Sequence, residues 1–388
     1  MMSLVQHDAI QPLRLAVPQQ QLDDLAARLD MTRWPDRETG EGWFQGVPLD
    51  EMKALCNHWR HHYDWRRCEA EINRRGSSTT TIDGLAIHFL HIRSAEPSAT
   101  PLLLTHGWPG SIVEFLKVID ALADPVRHGG EAADAFHLVI PSIPGYGFSD
   151  KPRERGWNIE RIARAWAVLM ERLGYADYIA QGGDWGAGIS QAMGAQAPAG
   201  LAAIHLNLPL GFPSEAERGA LDPAETAVIA QFTDHQLYNR AYSEVQRTKP
   251  QSLGYGLADS PVAQAAWIYE KFFLWTDCGG HPTHVLHYDE ILDNIMLYWL
   301  TNSGTSAARL YHESSTNFAG HQVTIPVGVS SFPKEILRST RKWTERLYPR
   351  FVSWTEPARG GHFAAFEQPD LFVDELRRFR TALATHLS

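Results

Sequence analysis

Asp184 stands between glycines placed two residues to either side, within Tyr178-Ile179-Ala180-Gln181-Gly182-Gly183-Asp184-Trp185-Gly186-Ala187-Gly188-Ile189-Ser190. A short apolar run enters this stretch and a run of small residues leaves it. A strand that turns abruptly into a helix forces the residue at the apex into a strained backbone, and small neighbours keep the crossing clear. Gly182 and Gly186 hold those places, while Ala187, Gly188, Ala192 and Gly194 let the following helix lie close on a sheet. Carboxylates ordinarily ionise near pH 4, so an aspartate needs no base before it attacks. Its natural target is a saturated carbon bearing a good leaving group, and the product is an alkyl ester on the protein. A glycine-rich surface turn is the plainer alternative.

An ester formed in this way must be hydrolysed, which calls for a base. The glycine spacing is that of the nucleophile elbow of α/β-hydrolases, with Asp where an esterase has Ser. In that fold the nucleophile, an acid and a histidine follow in chain order at strand ends. His362, in Gly360-Gly361-His362-Phe363-Ala364, is expected to take a proton from water, and Glu335 to orient its ring and stabilise the imidazolium. Asp289 and Asp293 are rival acids, but both sit in an aromatic-rich insertion. Water attacking the ester builds an oxyanion, which the backbone N–H groups of Trp108 and Trp185 are expected to meet. The leaving group sets the reaction. Halide calls for indole or amide donors, whereas an epoxide oxygen calls for an acidic hydroxyl such as a phenol.

These side chains require strands ending in loops, with helices leading away. From about residue 100 the chain alternates in this way, the pattern of a parallel sheet. Leu102–Leu104 reads as a buried strand ending in His106-Gly107-Trp108-Pro109-Gly110-Ser111, and His137–Ile140 as a second. A helix over Ile159–Leu173, the strand before Asp184 and a strand over Ala202–Leu208 follow. Residues 210–315 break the rhythm: they are helical in period and hold seven of the 12 tyrosines, as expected of a lid. Alternation resumes with a strand over Val323–Val329, a helix from Lys334, a strand over Phe351–Thr355 and an amphipathic helix over Leu371–Leu387. Residues 1–95 read as a small module with helices around Leu22–Leu29 and Leu49–Tyr63, then strands joined at Asp83-Gly84. The expected fold class is α/β: an α/β-hydrolase core (96–209 and 316–388), a helical lid (210–315) and a small N-terminal helical module (1–95).

Composition narrows the partners. The 388 residues are 44% apolar and 21% charged, ample for a globular core. A net charge of −10 argues against nucleic acid and against an anionic membrane surface. The three cysteines, Cys56, Cys68 and Cys278, form no even framework and suggest reduced thiols in a cytoplasmic protein. No run approaches the roughly 20 apolar residues of a membrane span, and the N-terminus has no signal-peptide pattern. Neither a P-loop nor a placed GxGxxG suggests a nucleotide, and no cofactor is expected. His281, His284 and His287 sit close in sequence but lack the cysteines or carboxylate pattern of a metal site, so none is expected.

Over nearly its whole length the sequence resembles the microsomal-type epoxide hydrolases, which include insect juvenile-hormone epoxide hydrolases and soluble bacterial relatives. The resemblance rests on Thr32-Arg33-Trp34-Pro35 and Tyr63-Asp64-Trp65-Arg66, on His106-Gly107-Trp108-Pro109-Gly110-Ser111 and on Gly182-Gly183-Asp184-Trp185-Gly186. Phe332-Pro333-Lys334-Glu335 and Arg359-Gly360-Gly361-His362-Phe363-Ala364-Ala365-Phe366-Glu367 extend it to the acid and the histidine. Thr248-Lys249-Pro250 and Asp259-Ser260-Pro261-Val262 fix the register of the lid. That register places Tyr242 and Tyr311 on the family's two tyrosines, with Tyr238 a near neighbour of the first. The N-terminal membrane anchor of the vertebrate members is not expected here.

The resemblance implies an enzyme that converts an epoxide and water to a vicinal diol, with Asp184, His362, Glu335, Tyr242 and Tyr311 as its working side chains. The aromatic lid suggests an apolar, aryl-bearing epoxide, in detoxification or secondary metabolism. A homodimer is left open. A haloalkane dehalogenase shares the Asp-Trp-Gly elbow but has no equivalent of the tyrosine pair or the N-terminal module. A non-catalytic binding protein on the same scaffold would not need Asp184, Glu335 and His362 together.

Overall fold

The computed structural model describes residues 9–209, 211–314 and 322–387. Its short apolar runs form one sheet of nine strands: β1 Gln11–Pro12, β2 Ser77–Ile82, β3 Leu85–Ile92, β4 Thr100–Thr105, β5 Phe136–Pro141, β6 Tyr178–Gly182, β7 Leu201–Leu206, β8 Val327–Ser330 and β9 Phe351–Thr355. Their spatial order is β1-β2-β3-β5-β4-β6-β7-β8-β9. The six strands from β5 to β9 in this order run parallel, while β1, β2 and β3 pair antiparallel along one side. Leu102, Leu103, Leu104, Leu138, Val139 and Ile140 are all fully buried, as strands covered by helices on both faces require.

The N-terminal segment is helical over Gln19–Asp30, Leu49–His61 and Trp65–Arg74, but its strand pair extends the common sheet. Asp83 and Gly84 both take positive φ, 50° and 80°, the two-residue turn that matches the twist of a tight hairpin. Between β7 and β8 comes a helical segment that includes Ala241–Thr248, Pro261–Trp275, Tyr288–Leu300 and Gly304–Glu313. The expected ends of that segment, at 210 and 315, lie outside the described residues.

Two expectations are corrected. The strand expected over Val323–Val329 begins only at Val327, because Pro326 cannot donate to a ladder on its N-terminal side. No helix starts at Lys334: its backbone bridges instead to Gly361, with its N–H donating to Gly360 O at 3.0 Å, and the helix waits until Arg341–Glu345. A tertiary pairing outweighs local propensity there.

The chain leaves β4 for β5 on one side and returns with β6 on the other. A crevice therefore opens at the carboxyl ends of β4 and β6, where open α/β sheets place their ligands.

Candidate active site

Asp184 is the first residue of the helix Asp184–Gln196, and its φ of 47° puts it in the left-handed region. The neighbouring glycines explain how the chain tolerates this. A Cβ on Gly182 would lie 2.1 Å from the Gly186 carbonyl, and one on Gly186 would lie 2.0 Å from Thr105 O. A Cβ on Gly107 would lie 2.2 Å from Asp184 Oδ1, so the loop after β4 packs its bare backbone on the carboxylate. The Trp108 N–H reaches Oδ1 at 2.8 Å. Trp185 follows on the helix, so its N–H belongs to the same positive helix end.

His362 lies in the loop after β9. Its N–H donates to Trp275 O at 2.8 Å, and the Gly360 N–H donates to Asp277 Oδ2 at 3.0 Å. The imidazole Nδ1 sits 2.6 Å from Glu335 Oε1, which also accepts the Ile336 N–H at 2.7 Å. Nε2 faces Asp184 Oδ2 at 3.3 Å. All three side chains are buried. Burial by itself would lower the His362 pKa, but the Glu335 and Asp184 carboxylates outweigh it and hold the ring well above its ordinary value. The arrangement can thus present a carboxylate, a hydrogen-bond donor on one of its oxygens, and a proton-carrying imidazole on the other.

Tyr242 and Tyr311 come from the helices Ala241–Thr248 and Gly304–Glu313 and are buried, whereas Tyr238 is 72% exposed. Their ring centroids lie 6.0 Å apart. Tyr242 stacks on Trp108 at 5.1 Å, and Tyr311 meets Trp185 edge-on at 4.7 Å. Burial, with the Asp184 carboxylate adding to it, pushes both phenols well above their ordinary value, so both keep their protons. With Asp184, Trp185, Leu208 and Ile336 they line a cavity of about 210 Å³. Larger hollows of about 920 and about 1200 Å³ open on the surface elsewhere, but none of the candidate residues lines them.

Other sequence candidates lie apart. Asp289 meets His58 at 2.7 Å, and Asp293 is gripped by Arg67 and Tyr63, both pairs tying N-terminal helices to the helix Tyr288–Leu300. His281 bonds Glu51, His284 bonds Cys278 O and His287 caps a helix. Among the described residues no three His, Cys, Asp or Glu side chains cluster as metal ligands would. No helix among them is long and apolar enough to cross a membrane.

The structure adds residues that the sequence reading passed over. Trp275 packs on His362 at 5.0 Å, and Lys271 places its ammonium 4.8 Å from the centre of the Tyr242 ring. Glu114, three residues after Ser111 in a Ser-x-x-Glu pattern, turns its carboxyl inward near His362 and Asp184. That pattern signals a capped turn and was the one available clue.

Comparison with known proteins agrees across the chain. Residues 10–115 match the family described as "Epoxide hydrolase N terminus", and residues 100–268 match the alpha/beta hydrolase fold. A Stigmatella aurantiaca protein named "Putative epoxide hydrolase" is 56% identical over 369 residues, covering 95% of this chain and 84% of its own length. The crystal structure of juvenile hormone epoxide hydrolase from the silkworm Bombyx mori superimposes with a TM-score of 0.90 at 30% identity, covering 98% of this chain and 96% of its own. Aspergillus niger epoxide hydrolase gives 0.85 at 32% identity, covering 97% of each.

Proposed function

The chain belongs to the epoxide hydrolases of the α/β-hydrolase fold, and on that footing we propose that it opens an apolar, aryl-bearing epoxide through an ester on Asp184. The observation that carries this reading is the Asp184 carboxylate, held by the Trp108 N–H and His362 and facing two buried phenols across one cavity.

In the first step Asp184 Oδ2 bonds an epoxide carbon, the carbon–oxygen bond of the ring breaks, and a phenol of Tyr242 or Tyr311 gives its proton to the freed oxygen. Ester formation removes the Asp184 charge. His362 then loses one of the two anions that hold its proton, while burial continues to favour the neutral ring. His362 gives that proton up, and the phenolate is restored by a proton from water in its own cavity. Neutral His362 next takes a proton from water, whose oxygen adds to the Asp184 carboxyl carbon. The oxyanion forms on Oδ1, against the Trp108 and Trp185 N–H groups. Collapse breaks the bond between Oδ2 and the carboxyl carbon; Oδ2 leaves within the diol and takes the remaining proton of the added water, so Asp184 is again a carboxylate. Glu335 steadies the imidazolium throughout.

The helical segment after β7 acts as a lid, and the N-terminal helices brace it through Asp289 and Asp293. The work is done in the cytoplasm, in detoxification or secondary metabolism. A dehalogenase would want halide donors where the phenol pair stands, so the tyrosines favour the epoxide.

The test is mass spectrometry of a His362→Gln variant mixed with an aryl epoxide. A gain of one whole epoxide on the Asp184 peptide is expected. An alkyl adduct with released halide from a haloalkane, and none from epoxides, would replace this reading with dehalogenation.

A further inference from the structure

Asp184 faces two spaces. One is the 210 Å³ cavity with the two phenols. The other is a small cavity of about 20 Å³, lined by Asp184, His362, Thr105, Gln181, Asn207 and Glu114 among others. A site of that volume holds one water molecule, provided that its walls are polar. These walls are. Thr105 Oγ1 and Gln181 Oε1 are almost fully buried and find no hydrogen-bond partner among the described residues, although Gln181 Nε2 donates to Asn207 Oδ1 at 2.5 Å.

His362 lines this small cavity and not the larger one. The imidazole therefore borders a space on the other side of the carboxylate from the cavity with the phenols.

Glu114 is the least explained member of the wall. Its stem is half-buried, but its carboxyl turns inward beneath Gly110, where an added Cβ would fall 1.2 Å from Oε1. Burial, opposed by His362 and reinforced by Asp184, pushes this carboxyl up to about 8. A protonated carboxyl can still accept a hydrogen bond, and it adds no third anion beside Asp184 and Glu335.

We propose, resting on the Asp184 ester, that this cavity seats the hydrolytic water and that Glu114 is a positioning residue holding that water between His362 and the Asp184 carboxyl carbon. The water donates one hydrogen to His362 Nε2 and the other to a carboxyl oxygen of Glu114. Both lone pairs of its oxygen stay free, and one of them forms the bond to the carboxyl carbon. The first proton passes to His362 as that bond forms, and the second stays on oxygen until the ester bond to the diol breaks.

The experiment follows the two steps separately, by rapid quench and intact-protein mass, with an aryl epoxide as probe. Glu114→Leu keeps the volume but removes the acceptor. Its ester is expected to accumulate, with hydrolysis slowed about tenfold or more while ester formation stays within about twofold. Glu114→Gln, which imitates the neutral carboxyl, should rescue hydrolysis to within about fivefold of the wild type. Hydrolysis unchanged in Glu114→Leu overturns the proposal, as does an equal slowing of both steps with no rescue by Gln. Should the Leu variant not fold, Glu114→Met, which also removes the carboxyl acceptor at similar volume, replaces it, and a failure to accumulate ester there overturns the proposal equally. His362→Gln run in parallel separates the two readings. If it traps the ester and Glu114→Leu does not, only the seat of the water is wrong; if neither traps it, the ester itself falls.

Discussion

His362 Nδ1 and Glu335 Oε1 lie 2.6 Å apart, although each is delivered by the loop after a different strand. The contact depends on the backbone bridge between Lys334 and Gly361, which locks the two loops side by side. Replacing Glu335 with Gln keeps the size but removes the charge that stabilises the imidazolium. Ester hydrolysis should slow by about two orders of magnitude, within the range of general base catalysis, with ester formation far less affected. Rapid-quench kinetics decide this, and an equal loss in both steps would assign Glu335 a purely structural part.

The second carboxylate gives a titration test. In the wild type, burial works against the His362 charge and the two anions win, so the ring holds its proton well above pH 6.5. Asp184→Asn imitates the neutral ester. The His362 midpoint should fall in that variant, read by NMR of a selectively labelled imidazole. A group raised in the fold stabilises it at low pH and loses that contribution as pH rises through the folded value. Asp184→Asn should therefore narrow the stability gained on acidification from pH 9 to pH 6. A midpoint that does not move would break the link between ester formation and the base.

Tyr242 and Tyr311 both retain their protons and face the same carboxylate. Each Tyr→Phe variant should slow ester formation by about one to two orders of magnitude, and the double variant should do so by more than either. Hydrolysis of ester already formed should change little. Single-turnover measurements on the four proteins check this, and a double variant that forms ester at the wild-type rate would leave the phenols as packing alone.

Glu367 sits beneath the His362 loop and accepts the Asp277 N–H at 2.7 Å. Burial raises its carboxyl to about 7. The folded state thus keeps a proton that the unfolded chain gives up at lower pH. That contribution is full below the ordinary value of 4.5 and is lost as pH climbs through about 7. Glu367→Gln cannot ionise, so its melting temperature relative to wild type should rise between pH 5 and pH 9. Parallel melts at three pH values test it, and a constant difference would contradict the raised value.

The apex at Asp184 was legible because glycine spacing records backbone collisions directly: each missing Cβ stands for a contact near 2 Å. The parallel strands were legible from buried apolar runs. Glu335 follows a strand, which is why the sequence singled it out, but the helix expected from Lys334 is absent and a bridge between Lys334 and Gly361 sets its position. Sequence periodicity carries no trace of such a pairing. Glu114 and the Lys271 ammonium escaped notice for the same reason. Their meaning comes from neighbours that only the folded sheet assembles.

The order of the strands has a consequence for how activity returns after denaturation. Asp184, Glu335 and His362 follow β6, β8 and β9, which lie in one parallel array with β7 between the first two. Parallel pairing demands closure of long loops before any contact rewards it, and such contacts form slowly. A refolding chain can regain its helices and much of its buried surface while those three loops are still apart. Recovery of turnover should therefore lag behind recovery of helical signal, and the enzyme's own reaction becomes a clock for the last strands to join.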